Sequence, residues 1–333
     1  MATGKKACVV GGTGFVASLL VKLLLQSGYA VNTTARDPGN HKKISHLTAL
    51  EDLGDLKIFQ ADLTDESGFD AAVEGCDVVF HVATPVNFAS EDPENDMIKP
   101  AIQGVRNVLK ACAKAKSVKR VVLTSSAAAV SVNTLTGSGH VMTEDNWTDV
   151  DFLYAEKPPT WGYLVSKTLA EKEAFKVAQD NNIDLITIIP TLIAGPSLTP
   201  DIPSSIGLAT ALLTGDEFRV NALKGMQMLS GSISISHIKD VCRAHVFLAE
   251  KQSASGRYIC CAVNTSVPEL VKFLSKRYPQ YKIPTDFEEI PSKPKLIISS
   301  DKLIKEGFSF KYGIEEIYDQ TVEYLKAYGL PKN

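Results

Sequence analysis

The sequence predicts an α/β protein: a Rossmann-type, doubly wound parallel sheet with a smaller, interleaved C-terminal lobe. Three observations carry this. A short apolar run at 7–10 passes through a glycine-rich turn into an apolar-periodic helix over 15–26. Further short apolar runs then alternate with helical segments as far as Thr124. Beyond Pro190 the alternation breaks up around repeated proline and glycine. Strands that alternate with helices pair in parallel, because each crossover returns the chain to the same end of the sheet.

Residues 7–10 (Ala-Cys-Val-Val) are uniformly apolar, as in a strand buried on both faces. Gly11 permits a tight turn, and Gly14 lets the backbone approach a ligand. Ala17 is small enough for close helix–strand packing, so the spacing is G-x-x-G-x-x-A. Leu19, Leu20, Leu23 and Leu24 recur at helical spacing, and Gly28 ends the helix. Strand, glycine turn and helix together turn backbone N–H groups and a helix N-terminus toward a diphosphate. A second strand is expected at 30–34, a turn at 36–40 and a helix over 41–53. A third strand follows at 56–60, then a short helix over 67–74 and a fourth strand at 77–82. A long helix over 96–115 leads to the fifth strand, 120–124. Ligands of such sheets lie beyond the carboxyl ends of the strands. Residues 11–16, Arg36, Asp62, 82–85, Ser125 and Ser126 all fall there.

A polar, turn-rich stretch follows over 133–159. A helix at 162–179 and a strand at 184–189 restore the pattern. Helices are expected over 237–251, 267–277 and 314–328. These features imply a cofactor-binding domain over 1–189, with a strand near 257–261 added to its sheet. Residues 190–333 form a mainly substrate-binding lobe.

Composition excludes several functions. The chain has 333 residues, 44% hydrophobic and 22% charged, with net charge −3. No basic surface advertises nucleic acid. No apolar run reaches the ~18 residues of a membrane span. The N-terminal residues lead directly into the first strand without a signal-peptide pattern, and the expected location is cytoplasmic. Six scattered cysteines suggest buried thiols in a reducing compartment. His237, Cys242 and His245 lie close together but read as core residues, and no metal is expected.

The chemistry concentrates in Tyr163-x-x-x-Lys167. On a helix, positions i and i+4 share a face. A free phenol has a pKa near ~10, too high for proton transfer at neutral pH. A neighbouring ammonium is expected to lower it. Ser126, closing the fifth strand, is placed to orient a substrate oxygen. A surface tyrosine beside a solvated lysine is the ordinary alternative for such a spacing. The conjunction with a glycine turn and a strand-end serine favours an acid/base relay beside a nicotinamide. Arg36, Lys42 and Lys43 follow the second strand, where an NAD site would carry an acidic residue. They suit the 2′-phosphate of NADP. Asp37 opposes that reading, but before Pro38 it suits a turn.

Taken together, the G-x-x-G-x-x-A turn, Asp62-Leu63, Ser126 and Tyr163-x-x-x-Lys167 resemble the extended short-chain dehydrogenase/reductase family. Arg36-Asp37-Pro38, the segment 79–85 and Leu123-Thr124-Ser125-Ser126-Ala127 are similar to its plant reductases of dihydroflavonols, cinnamoyl-CoA and anthocyanidins. Segments 86–96, 157–163 and 225–231 are most similar to the anthocyanidin-reducing members. That resemblance implies NADPH-dependent reduction of a small flavonoid to a flavan-3-ol. It implies Ser126, Tyr163 and Lys167 as catalytic residues, Lys167 also reaching the nicotinamide ribose. It implies NADP(H) contacts from Gly11, Thr13, Gly14, Phe15 and Val16 at the diphosphate, and from Arg36 and Lys43 at the 2′-phosphate. Val82, Ala83, Thr84 and Pro85, with Asp62 and Leu63, would complete the cofactor site. Ser131 stands where dihydroflavonol reductases carry a substrate-contacting asparagine. Ser131, Asn133 and Phe88 are further candidate substrate contacts, with Met226 and Gln227 on a glycine-flanked loop. A dihydroflavonol 4-reductase or related carbonyl reductase is the alternative on the same scaffold. A non-catalytic NADP sensor is the alternative of another class, and the intact Ser126–Tyr163–Lys167 set speaks against it. The sequence does not set the oligomeric state.

Overall fold

The apolar run near the N-terminus is a strand because both of its faces are covered. Ala7, Cys8, Val9 and Val10 are fully buried in β1 (Lys6–Val10). In the computed structural model, which describes residues 4–88, 90–132, 140–285, 287 and 295–329, this strand opens the expected alternation. It continues through α1 (Phe15–Gln26), β2 (Ala30–Ala35), α2 (His41–Thr48), β3 (Leu56–Gln60) and α3 (Asp70–Val73). Next come β4 (Val78–His81), α4 (Lys99–Ala115), β5 (Arg120–Thr124), β6 (Val141–Met142), α5 (Val150–Glu156), α6 (Trp161–Asp180) and β7 (Leu185–Pro190).

Seven strands form one parallel sheet in the order β10-β7-β5-β4-β1-β2-β3, where β10 is Gly256–Cys260. The strand near the C-terminal third thus joins the edge beside β7, pairing Gly256 with Ile186 and Cys260 with Pro190. Helices cover both faces. Leu20, Val21 and Leu24 of α1 and Val241, Cys242 and Leu248 of α10 (Ile238–Glu250) pack on one side. Val105, Val108 and Cys112 of α4 and Ala170 and Ala174 of α6 pack on the other. The strand order reverses between β1 and β4, which opens a crevice at their carboxyl ends.

The second lobe contains β8 (Leu192–Ala194), α7 (Ser204–Ala209), α8 (Ala211–Thr214), α9 (Glu217–Ser230) and β9 (Ile233–His237). It is completed by β11 (Val263–Thr265), α11 (Val267–Arg277) and α13 (Ile314–Lys326). A small sheet, β11-β9-β8, lies against a separate core that includes Leu212, Leu223, Ile233, Leu270 and Tyr318. β12 (Ile297–Ile298) pairs with β6, and α12 (Asp301–Lys305) packs near β10.

The stretch expected to be turn-rich over 133–159 contains β6 and α5, and three further elements differ from expectation. The helix expected over 41–53 stops at Thr48, and a separate 3₁₀ turn holds Glu51–Leu53. The helix expected from 96 begins as a π-helical turn, Glu94–Ile98, and becomes regular only at Lys99. Pro100 falls just after that turn, where its missing N–H interrupts the helical ladder as the π turn gives way to the regular helix. Met226 and Gln227 lie on α9, not on a loop. Gly225 is tolerated inside that helix, and Gly231 at φ +75° ends it.

All six cysteines are free and buried. Among the described residues, no helix is long and apolar enough to cross a membrane.

Candidate functional site

The glycine turn is held against its neighbours on both sides. The Gly11 N–H donates to Thr34 Oγ1 at 2.9 Å, and the Gly12 N–H to the Thr34 carbonyl at 2.9 Å. Gly11 has φ +88°, and a Cβ there would meet the Ala83 Cβ at 2.7 Å. A Cβ on Gly12 would meet Thr33 Oγ1 at 2.1 Å. The sequence pattern singles out Gly11 and Gly14 but not Gly12. The reason for Gly12 lies on β2, more than twenty residues away. Gly14 caps α1 without a side-chain hydrogen bond, and the first turn of α1 holds no acidic residue. The first N–H groups of that helix are therefore available to an anion. Thr13, Phe15 and Val16 are partly buried around this opening. Arg36 and Lys43 are both exposed beyond β2, and Arg36 lies near enough to Asp62 to help hold its carboxyl below the usual range. The chief cause of that lowering is Thr64, whose hydroxyl and N–H both donate to Asp62 Oδ1. Leu63 packs against Gly104 of α4. Val82, Ala83, Thr84 and Pro85 follow β4 and are partly buried. A cradle that a Cβ would fill, an uncapped helix start and two cations fit a dinucleotide with a 2′-phosphate.

The residues expected to be catalytic gather at the end of β5. α6 carries Tyr163 and Lys167 one turn apart. Lys167 Nζ donates to Thr84 Oγ1 at 2.7 Å and to the Thr124 carbonyl at 2.9 Å. It therefore ties the ends of β4 and β5 together. Burial lowers the Lys167 pKa to about 8, and Glu171 opposes the shift. Ser126 stands near Tyr163 and favours its phenolate form. Burial nevertheless dominates and raises the Tyr163 pKa above its ordinary value. This corrects the lowering expected from the i, i+4 spacing. The ammonium is turned toward the strand ends, away from any leading influence on the phenol. Phe88 meets the Tyr163 ring edge-on, with centroids 5.4 Å apart, and remains 48% exposed. Gly162 lets Pro93 lie close against the start of α6: a Cβ there would sit 2.3 Å from the Pro93 side chain.

The expected substrate residues divide. Ser131 is partly buried just past the 3₁₀ turn Ala127–Ala129, its N–H bound to the Ala127 carbonyl at 3.0 Å. Asn133 lies outside the described residues. Met226 packs against the core of the second lobe. Gln227 is buried, and its amide is occupied at both ends. Nε2 donates to the Gly231 carbonyl at 3.0 Å, and Oε1 accepts from the Val267 N–H at 3.1 Å. That buried amide ties α9 to α11, so part of its hydrogen-bonding capacity is structural.

Residues absent from the sequence-based list surround the cluster. His245 Nδ1 faces the Val241 carbonyl at 2.8 Å, which leaves Nε2 to accept from Thr124 Oγ1 at 2.8 Å. Glu171 accepts from Ser125 and Thr187 and pairs with Arg257. Glu171 extends the Tyr163, Lys167 series by another helical turn, a signal that was available. Arg257 carried none.

A parallel sheet with a phosphate cradle at its switch point and a Ser–Tyr–Lys cluster one strand away defines a nicotinamide-dependent reductase of the extended short-chain type. Comparison with known proteins agrees: residues 7–261 match the NAD dependent epimerase/dehydratase family, and the chain belongs to it. Among relatives, an anthocyanidin reductase ((2S)-flavan-3-ol-forming) of Vitis vinifera is 76% identical over 331 residues, covering 99% of this chain and 98% of that one. Among solved structures, alfalfa (Medicago sativa) vestitone reductase aligns with a TM-score of 0.83 at 36% identity, covering 98% of this chain and 99% of that one. Yeast methylglyoxal/isovaleraldehyde reductase complexed with NADPH aligns at 0.80 and 25% identity, over 98% and 100% of the two chains.

Proposed function

We propose that this protein is an NADPH-dependent anthocyanidin reductase that converts an anthocyanidin such as cyanidin into a flavan-3-ol. One observation carries the reading: similarity of 76% over nearly the full length to a reductase of that name, in a chain that keeps Ser126, Tyr163 and Lys167 together. NADPH, when bound, supplies hydride to the substrate. Gly11, Thr13, Gly14, Phe15 and Val16 hold its diphosphate at the start of α1. Arg36 and Lys43 hold the 2′-phosphate, and Asp62, Leu63 and residues 82–85 hold the adenosine side and ribose. Tyr163 holds a proton at Oη, and its raised pKa keeps that proton in place at neutral pH. Ser126 orients the substrate oxygen, and Lys167 holds positive charge between the strand ends and the nicotinamide ribose. Phe88, against the Tyr163 ring, and Ser131, just past Ser126, would contact a flat polyphenol, whereas Met226 packs against the core of the second lobe. Buried free thiols suit the reducing cytoplasm.

A flavylium cation becomes a flavan-3-ol by gaining two hydrides and one proton. The test is incubation of the pure protein with cyanidin and NADPH, with chromatographic identification of products. Formation of a flavan-3-ol, with two NADPH consumed for each, is the expected result. No product from cyanidin, together with reduction of dihydroquercetin at its carbonyl, would assign the protein to the carbonyl reductases instead.

A further inference from the structure

We propose that Glu171 is a positioning residue of this site, fixing the strand end that carries Ser126 and supplying the negative charge that keeps the Lys167 ammonium protonated. The inference rests on the reductase reading above and deepens it.

Glu171 lies on α6 one turn beyond Lys167 and is fully buried at 1% exposure. A carboxylate in that position is costly unless every lone pair is used. Here Oε2 accepts from Ser125 Oγ at 2.6 Å and Arg257 Nη2 at 3.3 Å. Oε1 accepts from Thr187 Oγ1 at 2.6 Å and Arg257 Nε at 2.9 Å. One side chain therefore joins α6 to β5, β7 and β10. Ser125 is the residue before Ser126, so the carboxylate, together with the Ser125 N–H bond to the Ile188 carbonyl at 2.7 Å, helps to fix the backbone of the serine that faces Tyr163. Arg257 is itself clamped. Its Nη1 donates to the carbonyls of Glu144 and Asn146 at 2.6 and 2.7 Å, and its guanidinium lies 3.5 Å from the centre of the Trp147 ring.

The charge side of the argument comes from a small cavity of about 20 Å³ lined by His81, Thr84, Thr124, Ser125, Lys167 and Glu171. Lys167 donates to two neutral oxygens and has no carboxylate in direct contact among its hydrogen-bond partners. Glu171, one helical turn further along α6, lines the same cavity, and buried charges are screened far less than exposed ones. The other titratable groups around Lys167 are His81 from β4, Tyr163 on α6 itself, and Arg257 of β10 behind Glu171. His81 is held neutral by burial, with its pKa lowered to about 3. Arg257 is permanently charged. Glu171 is thus the negative group placed to retain the Lys167 proton.

The test compares wild type, Glu171→Gln, and the double variant Glu171→Gln/Arg257→Met, which avoids an unpaired buried guanidinium. Reduction requires the ammonium, so activity falls as pH rises through the Lys167 pKa. Glu171→Gln should move this alkaline limb of kcat/KM for cyanidin downward by on the order of one pH unit, and the double variant should move it in the same direction but less, because loss of the more distant Arg257 cation offsets part of the loss of the carboxylate. ¹³C NMR titration of lysine-labelled enzyme reads the same shift at Lys167 without turnover. A folded variant that loses rate equally at every pH, with Lys167 titrating as in wild type, overturns the proposal and leaves Glu171 only structural. Wild-type enzyme that fails to reduce cyanidin while Lys167 still shifts in the variants would overturn the anthocyanidin reading and not this one.

Discussion

Substituting Gly12 by alanine tests the cofactor cradle at its tightest point. The new Cβ would lie 2.1 Å from Thr33 Oγ1 and 3.1 Å from Thr33 Cβ and Cγ2. Thr33 is fully buried on β2, and its hydroxyl donates to the Val9 carbonyl at 2.8 Å. Rotating the hydroxyl away breaks that bond, at about 1 kcal/mol. The remaining overlap forces β2 and the turn apart, an overpacking cost of about 1–3 kcal/mol. The expected destabilisation is about 2–4 kcal/mol, which at ~2–4 °C per kcal/mol lowers Tm by roughly 5–15 °C. The loop is tied to Thr34 through the N–H groups of Gly11 and Gly12, so relief by moving the loop also moves the start of α1. NADPH affinity, followed by fluorescence titration, should therefore fall about tenfold or more, or about 1.4 kcal/mol. Thr33→Ala removes both Oγ1 and Cγ2 and should partly rescue the double variant. Recovery of more than about 1 kcal/mol over the sum of the single changes is expected. Strict additivity, within about 0.5 kcal/mol, would refute the clash as the cause.

Three further outcomes are expected. Tyr163→Phe should lower kcat by ~10²–10⁴-fold and leave NADPH binding largely intact, since it deletes only the hydroxyl; a near-native rate in folded protein would remove Tyr163 from the chemistry. Arg36→Glu should weaken NADPH far more than NADH in parallel titrations, because a carboxylate would face the 2′-phosphate; equal losses would mean that Arg36 does not read it. Stability should fall in acid because burial holds His81, His237 and His245 at pKa values of about 3, 4 and 4. Below pH ~6.5 the unfolded chain takes up protons that these buried rings refuse, so each contributes a loss approaching ~1.4 kcal/mol per pH unit between about pH 6 and 4. Urea unfolding at pH 7 and pH 5 measures this, and equal stability at the two values would contradict the burial of neutral imidazoles.

By itself the sequence determined the strand–helix alternation, the glycine turn, and the Tyr163–Lys167 pairing on one helix. These are short-range signals. Runs such as residues 78–80 read as buried strands because apolar side chains recur without interruption, and i, i+4 partners share a face wherever the helix packs. Met226 and Gln227 read as loop residues in the sequence because Gly225 weakens a local helix signal that tertiary packing restores. The tertiary structure alone decided the long-range terms. Gly12 is required by Thr33, Glu171 is satisfied by Arg257 from 86 positions away, and the Gln227 amide bridges Gly231 and Val267. It also decided the direction of the Tyr163 pKa. Spacing along a helix brings an ammonium near a phenol, but the dielectric around both groups and the aim of the ammonium depend on which strands close over them. Lys167 turns to Thr84 and Thr124 because β4 and β5 are neighbours in the sheet, a pairing fixed by the burial of elements that lie far apart in the chain.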